Sequence, residues 1–336
     1  MAARIESLPS QIRAGAGIAS MALRPFSADR PRRLVLFGMG GSAIAGDLLR
    51  VLAVQSGEAP VHVVRAYAPP AWLSPEDLFV YSSYSGETEE TLSCFKATRD
   101  RGARAVAITT GGSLAAAARE AGVPVLLLPP GHPPRAALGY SFATLACLAS
   151  RTGVVPGLEQ RLEGAAAAVE GVVSACGTGV LQSRNSAKKM AIRLAGRAIL
   201  VIGEERGLAA VALRWKGQLN ENAKQLAWAS ALPEMNHNEV DGFAGPKAAV
   251  GRLGVVLLRE PEEHPRLAMR FNWLAGYMKR RGVPVVSVTA AGDDAVARLL
   301  GCAALGDLVS YYLALENGVD PSALPGVEAL KKALRA

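Results

Sequence analysis

The stretch from Leu34 to Leu49, LVLFGMGGSAIAGDLL, leaves a chain few ways to fold. Leu34 to Phe37 are all apolar, as in a parallel strand covered on both faces. Gly38, Gly40 and Gly41 follow, then Ser42, then an apolar-periodic run over Ala43–Leu49. A strand that breaks into glycine and re-forms as a helix opens a βα unit. Glycines at such a turn let backbone N–H groups approach a ligand, and the helix N-terminus adds unpaired donors and a partial positive charge. The guest expected there is an anion, most often a phosphate. A tight turn that needs only positive φ has the same composition, and both readings stand on this stretch alone.

The rest of the first half repeats the unit. After an N-terminal helix and connection over residues 1–30, strand Arg33–Phe37 leads to helix Ser42–Gln55. Strands Val61–Arg65 and Leu78–Ser82 precede helix Thr88–Asp100. Strand Ala105–Thr109, a short helix Leu114–Glu120, strand Pro124–Leu128 and helix Ala136–Arg151 complete it. Short apolar strands separated mostly by helices predict a parallel sheet with helices on both faces. After Gly153-Val154-Val155-Pro156-Gly157 the pattern changes to linking helices over Leu158–Ser174 and Asn185–Leu194. The alternation then restarts with strand Ala198–Ile202, helix Leu208–Ala229, strand Gly254–Arg259, helix Pro265–Arg281, strand Val283–Thr289 and helix Asp294–Glu316. The expectation is α/β: two open parallel sheets flanked by helices, each with a βα turn near its start.

Length and composition narrow the function classes. A chain of 336 residues, half of them apolar and a fifth charged, suits two globular domains. No run of eighteen apolar residues predicts a membrane span, and the N-terminal MAARIESLPSQIRAG lacks the apolar centre of a secretory signal. Cys94, Cys147, Cys176 and Cys302 stand singly in apolar surroundings, so buried reduced thiols and a cytoplasmic setting are expected rather than disulfides or metal ligands. The net charge of +8 is spread along the chain, and the few aromatics offer little to stack on bases. A diffuse positive field that attracts small anionic substrates fits better than nucleic-acid binding.

Ser82-Ser83-Tyr84-Ser85-Gly86-Glu87-Thr88 forms a second polar cluster, between a strand and a helix N-terminus. Hydroxyls and N–H groups converging there would hold a phosphate by neutral hydrogen bonds and the helix dipole. A serine or threonine N-cap with Glu89 or Glu90 completing a capping box needs only one hydroxyl, and this cluster has four. A dinucleotide would require an acidic residue at the end of the second strand, where Arg65 and Ala66 stand, and no Walker lysine follows the glycines. A monophosphate is the better guest.

GMGGS followed by SYSGETEETL resembles the sugar isomerase (SIS) domain, which binds phosphosugars. Pro134-Arg135-Ala136-Ala137-Leu138-Gly139-Tyr140, Asn220-Glu221-Asn222-Ala223-Lys224, Met235-Asn236-His237-Asn238-Glu239-Val240 and Gly318-Val319-Asp320-Pro321 resemble, in this order along the chain, the bifunctional phosphoglucose/phosphomannose isomerases. The resemblance runs from about residue 30 to about residue 332. It implies two SIS-type domains: a phosphate-binding one over 1–153 and a second, with linker helices, over 154–317. A tail helix over 318–336 is expected to reach the active site.

The resemblance implies an aldose–ketose isomerase working without metal or cofactor. Such chemistry needs a base to move a proton between C1 and C2, a cation beside the developing oxyanion, and an acid/base group to open the ring. Glu221 is the base that the family match assigns, although a helix carboxylate three residues before Lys224 would otherwise read as a solvated pair. His237, between two asparagines, is the ring opener, and its ordinary pKa suits proton traffic on a sugar oxygen. His62, His132 and His264 read as structural or solvated. Arg135 matches the arginine that steadies the enediolate. Lys331 or Lys332 matches a C-terminal lysine that assists ring opening. Gly40, Gly41, Ser42, Ser83, Ser85 and Thr88 would hold the phosphate. The family's histidine crosses a dimer interface, which implies a homodimer with shared active sites.

Two positions depart from the family pattern. Ser322 stands where a threonine is common, keeping the hydroxyl associated with admitting both C2 epimers but losing the methyl group. Glu87 stands where an asparagine is common, and a carboxylate beside a phosphate is unfavourable unless it points away. The rival readings are a non-catalytic phosphosugar-sensing protein, which would dispense with Glu221, His237 and Arg135, and an isomerase for another phosphosugar.

Overall fold

A computed structural model of the protein describes residues 1–23, 29–56 and 58–334. Residues 24–28 of the expected N-terminal connection and the last two residues of the tail lie outside the described residues. The chain divides into two compact units. One comprises Glu6–Gly171 with Ala291–Gly301, the other Met1–Ile5, Val172–Ala290 and the chain from Cys302 onward.

The first unit is built on five strands: β1 (Leu34–Gly38), β2 (Val61–Val64), β3 (Leu78–Ser82), β4 (Arg104–Thr109) and β5 (Val125–Leu127). Their order is β2-β1-β3-β4-β5, and every pairing is parallel. β1 and β3 are the two strands of this sheet that are buried at every residue. Their register places Leu34 beside Leu78 and Gly38 beside Ser82. One face carries an aromatic cluster in which Phe37 stacks on Tyr81 at 5.2 Å and Tyr81 meets the edge of Phe95 at 4.8 Å. Such pairs add about 0.5–1.5 kcal/mol each to the area they bury.

The second unit holds β6 (Ala198–Glu204), β7 (Ala227–Leu232), β8 (Leu253–Arg259) and β9 (Val285–Thr289), all parallel in the order β7-β6-β8-β9. The two-sheet α/β expectation holds, with one correction. The helix expected over Leu208–Ala229 ends at Ala223, and the chain turns into β7 at Ala227. The stop is Lys224, in the left-handed conformation with φ +50°. Sequence reading looks for glycine at that position, so a lysine there passes unseen. Nothing between Gln225 and Ala229 is a glycine or proline, so the helical pattern runs on unbroken.

Helix Ala209–Ala223 packs along helix Ala295–Glu316. The latter is long and apolar enough to cross a membrane by length and composition, and 78% of that apolar window is buried inside the protein. The Trp215 indole is fully buried there, and its Nε1 donates to the Cys302 carbonyl at 2.9 Å. It lies directly over Gly306, which has no side chain to obstruct it. Between the same helices a polar network is enclosed. Arg214 and Gln218 donate to the two Asp307 oxygens at 2.6 and 2.8 Å. The Ser310 hydroxyl donates to the Asp307 carbonyl and accepts from Asn222 Nδ2 at 3.0 Å. Arg214, Gln218 and Asn222 recur every four residues, so they share one face of their helix. Burial pushes the Asp307 carboxyl up, and the Arg214 guanidinium opposes that shift.

All four cysteines are buried and unbridged, as expected. The secondary histidines also have structural contacts. His62 packs its ring on Trp72 at 4.8 Å, His132 meets Tyr140 at 5.7 Å, and His264 accepts from the Arg266 amide at the start of helix Pro265–Arg280.

A methyl group at residue 306 would overlap the buried indole of Trp215. Gly306→Ala is expected to lower stability by about 1–3 kcal/mol, the usual range for overpacking. The urea midpoint should fall with little change in slope; an unchanged midpoint would show that the indole yields freely.

Candidate active site

In an open parallel sheet, ligands bind beyond the carboxyl ends of the strands. β1 and β3 are neighbours in register, so the segments leaving them are held side by side. Beyond β1, Gly40 takes a positive φ of +47° and helix Gly40–Ser56 begins. The buried Ser42 hydroxyl accepts the Tyr84 amide at 3.2 Å and so joins this turn to the segment beyond β3. A Cβ on Gly41 would lie 2.7 Å from the Pro134 carbonyl and 3.2 Å from the Arg135 Cα. The bare backbone of Gly41 is what lets the short 3-10 turn Pro134–Ala136 come in this close. That turn carries Arg135, almost wholly buried. Gly40, Gly41, Ser42, the serine cluster and Arg135 therefore converge on one end of one sheet.

The serine cluster is itself organised. Ser83 Oγ lies 2.7 Å from Thr88 Oγ1 and accepts the Gly86 amide at 3.1 Å. Ser85 is exposed and its hydroxyl accepts the Glu87 amide at 3.2 Å. Thr88 stands at the N-cap of helix Glu89–Thr98 and, among the described residues, makes no side-chain cap bond, its hydroxyl being turned to Ser83. The capping-box alternative is not what the structure contains. A helix N-terminus without a side-chain cap beside a glycine turn and several hydroxyls favours an anion, against which the first-turn carboxylates Glu89 and Glu90 act. Arg65, just after β2, is engaged elsewhere, in an ion pair with the buried Asp47.

Glu87 and Tyr84 have roles that sequence reasoning missed. The Glu87 carboxylate accepts the Ser113 amide at 2.7 Å and the Ser113 hydroxyl at 2.8 Å, at the start of helix Gly112–Glu120. It clamps the serine cluster to the neighbouring helix, and the Ser113 bonds hold its pKa below the ordinary value. The Tyr84 hydroxyl donates to the Pro129 carbonyl at 2.7 Å and accepts the His132 amide at 3.2 Å, anchoring the loop that leads to Arg135. A tyrosine inside a serine-rich stretch carries no sequence mark of that long-range contact.

The second unit treats its corresponding turn differently. Between β6 and helix Ala209–Ala223, a Cβ on Gly207 would lie 3.0 Å from a Glu204 carboxylate oxygen and 3.4 Å from one of Glu260. Two carboxylates thus stand against the backbone of that turn, whereas Gly41 meets the Pro134 carbonyl and the backbone of Arg135.

Glu221 lies in the last turn of helix Ala209–Ala223 and is half-buried. The asparagines on either side are occupied: Asn220 both accepts from and donates to the backbone of Ala227, at 3.1 and 3.2 Å, and Asn222 binds Ser310. The Lys224 ammonium donates to main-chain carbonyls, those of Glu221 at 3.1 Å, Asn222 at 3.4 Å and Asp320. That last bond brings the Asp320–Ser322 turn to the end of the Glu221 helix. Ser322 is exposed, and its amide donates to Asp320 Oδ1 at 2.7 Å. His237 ends a short 3-10 helix, Glu234–His237, after β7 and is exposed. Its neighbour Asn236 accepts from Arg270 at 3.1 Å. Lys331 and Lys332 are both exposed on helix Pro325–Ala333, which buries none of its residues. Nothing in that helix selects one lysine over the other.

The depressed pKa of Glu87 has a consequence for stability. In the unfolded chain this group titrates near 4.5, and in the folded protein lower. The clamp contributes fully above 4.5 and is lost as pH falls through the folded value. Because Glu87 is exposed, the effect is small, about 0.5 kcal/mol or less. Glu87→Gln should therefore lose less stability than wild type between pH 6 and about pH 3, as read by urea unfolding; equal losses would show that the clamp contributes nothing.

Residues 29–130 match the SIS domain family, and residues 183–334 match the family described as bacterial phospho-glucose isomerase C-terminal SIS domain. The chain is 34% identical over 330 residues to a bifunctional phosphoglucose/phosphomannose isomerase from Caldicellulosiruptor bescii, covering 98% of this chain and 97% of that protein. The protein of the same name from Aquifex aeolicus is 33% identical, covering 90% of each chain. A D-glucosamine-6-phosphate 4-epimerase from Sulfolobus acidocaldarius is 30% identical over 63% of this chain and 64% of that one. Among solved structures, the C-terminal domain of glucosamine-fructose-6-phosphate aminotransferase from Francisella tularensis superposes with a TM-score of 0.72 at 15% identity, covering 95% of this chain and 96% of that one. Tagatose-6-phosphate ketose/aldose isomerase from Escherichia coli gives 0.66 at 19%, covering 95% and 93%. These two likenesses are of fold. With two SIS-type sheets and near-complete coverage by such relatives, the chain belongs to the family of bifunctional phosphoglucose/phosphomannose isomerases.

Proposed function

We propose that this protein interconverts glucose 6-phosphate with fructose 6-phosphate, and takes mannose 6-phosphate as its second aldose. Similarity over nearly the whole length to proteins that bear that name carries the reading. Glucose and mannose differ only at C2, and removing the C2 proton from either open-chain form leaves the same enediolate. One base and one oxyanion site can therefore serve both epimers.

In this mechanism Gly40, Gly41, Ser42, Ser83, Ser85 and Thr88 hold the phosphate. His237, assisted by Lys331 or Lys332, moves the proton between the ring oxygen and O1 as the ring opens. The Glu221 carboxylate takes the proton from C2 and returns it to C1, while a proton passes from O2 to O1. Arg135 balances the charge that builds on the two oxygens. The working enzyme is a cytoplasmic homodimer in which His237 is contributed by the partner. A purely phosphosugar-sensing role leaves Glu221, His237 and Arg135 without a purpose. The epimerase relative makes other hexose phosphates worth including in any substrate panel.

Two experiments test this reading. Glu221→Gln should lower kcat for fructose 6-phosphate by about 10²–10⁴, the range for a positioned general base, and still bind the substrate; wild-type turnover in that variant would refute the mechanism. Mixing Glu221→Gln with His237→Ala subunits should restore part of the activity that each lacks alone. Failure to restore it in verified mixed dimers would refute shared sites.

A further inference from the structure

Lys224 is the only residue other than glycine with positive φ among the described residues. It occupies the position just after a helix where glycine is the usual occupant, because a Cβ in the left-handed conformation is sterically costly. The backbone thus gives no reason for a lysine, and the reason has to lie in its side chain. The ammonium has three protons, and three main-chain carbonyls receive them. Glu221 and Asn222 belong to the helix end, where carbonyls lack helical partners and carry partial negative charge. The third is Asp320, 96 residues further along the chain.

Asp320 passes the constraint on. Its side chain accepts the Ser322 amide at 2.7 Å, and that bond, with the nearby Lys224 charge, holds its pKa down. On the other side of the same segment, Asn317 donates to the Ala223 carbonyl at 3.0 Å and to Gln225 Oε1 at 2.9 Å. The segment from Asn317 to Ser322 therefore crosses the end of the Glu221 helix at a fixed place, tied by Asn317 at one end and Lys224 at the other. The ammonium is exposed, so it makes these bonds without the cost of burying a charge.

We propose that Lys224 is a positioning residue that sets the Ser322 hydroxyl relative to the Glu221 carboxylate, and through that placement sets both turnover and the preference between C2 epimers. The proposal rests on the reading of Glu221 as the base and of Ser322 as a group beside the substrate.

Lys224→Gly separates the side chain from the backbone, since glycine suits the conformation better than lysine. The expected result is a Tm equal to or above that of wild type, a kcat lowered about ten- to a hundredfold, and a shifted ratio of kcat/KM between mannose 6-phosphate and glucose 6-phosphate. Lys224→Arg, which keeps a cation able to reach the carbonyls, should recover most of the turnover and the wild-type ratio. Rates are compared at a temperature well below the lower Tm, so that every variant is folded. Wild-type kcat and epimer ratio in Lys224→Gly would overturn the proposal. So would a fall in Tm without a change in either quantity, since that is what a purely structural lysine predicts. Failure of the isomerase reading itself would appear separately, as absence of turnover in the unmutated protein.

Discussion

The parallel register between β1 and β3 is the constraint on which the candidate site depends. Gly38 pairs with Ser82, so the two strands end level and the segments beyond them emerge at the same height. One segment brings a glycine turn and a helix N-terminus, the other four hydroxyls and a second helix N-terminus. The Ser42–Tyr84 hydrogen bond joins the two, and Gly41 leaves room for the turn that carries Arg135. A slip of one residue would reverse the faces of the strand and bury the wrong side chains in the aromatic cluster of Phe37, Tyr81 and Phe95. Packing of the core and assembly of the anion surface are thus enforced by the same register.

The second unit relies on a different device. Its helix of proposed chemistry, Ala209–Ala223, is fixed in rotation by a buried polar stripe beside its apolar contacts. Arg214, Gln218 and Asn222 meet Asp307 and Ser310, while Trp215 lies over Gly306. An enclosed ion pair adds little net stability, but it accepts only one arrangement of its partners. Apolar helix faces can slide over one another at small cost, whereas a buried carboxylate with two assigned donors cannot. Glu221, one residue from Asn222, inherits that precision.

Most of the sheet architecture was legible in advance, because a buried strand between a turn and a helix has a strong pattern. β7 was the exception. Its start, Ala227-Trp228-Ala229, is as compatible with helix as with strand, and Lys224 ends the helix without the glycine that signals an end. In the site, the glycine turn and the serine cluster were legible as a candidate anion pair because local chemistry marks them. Tyr84, Glu87 and Lys224 were not, since each acts through a partner distant in sequence: Pro129 and His132, Ser113, and Asp320.

By itself the sequence determined the α/β class and the restart of the strand–helix alternation, and its motifs marked the family whose resemblance nominates the isomerase residues. These follow from periodicity, composition and motif, all of which are local properties of the chain. Tertiary structure alone decided that Glu87 turns its charge away to Ser113, that Glu260 comes up against the second turn, and that a lysine ties the helix of Glu221 to the turn of Ser322. Each of those depends on the direction of a side chain and on what the fold brings opposite it, and the linear order of residues encodes neither until the chain has packed.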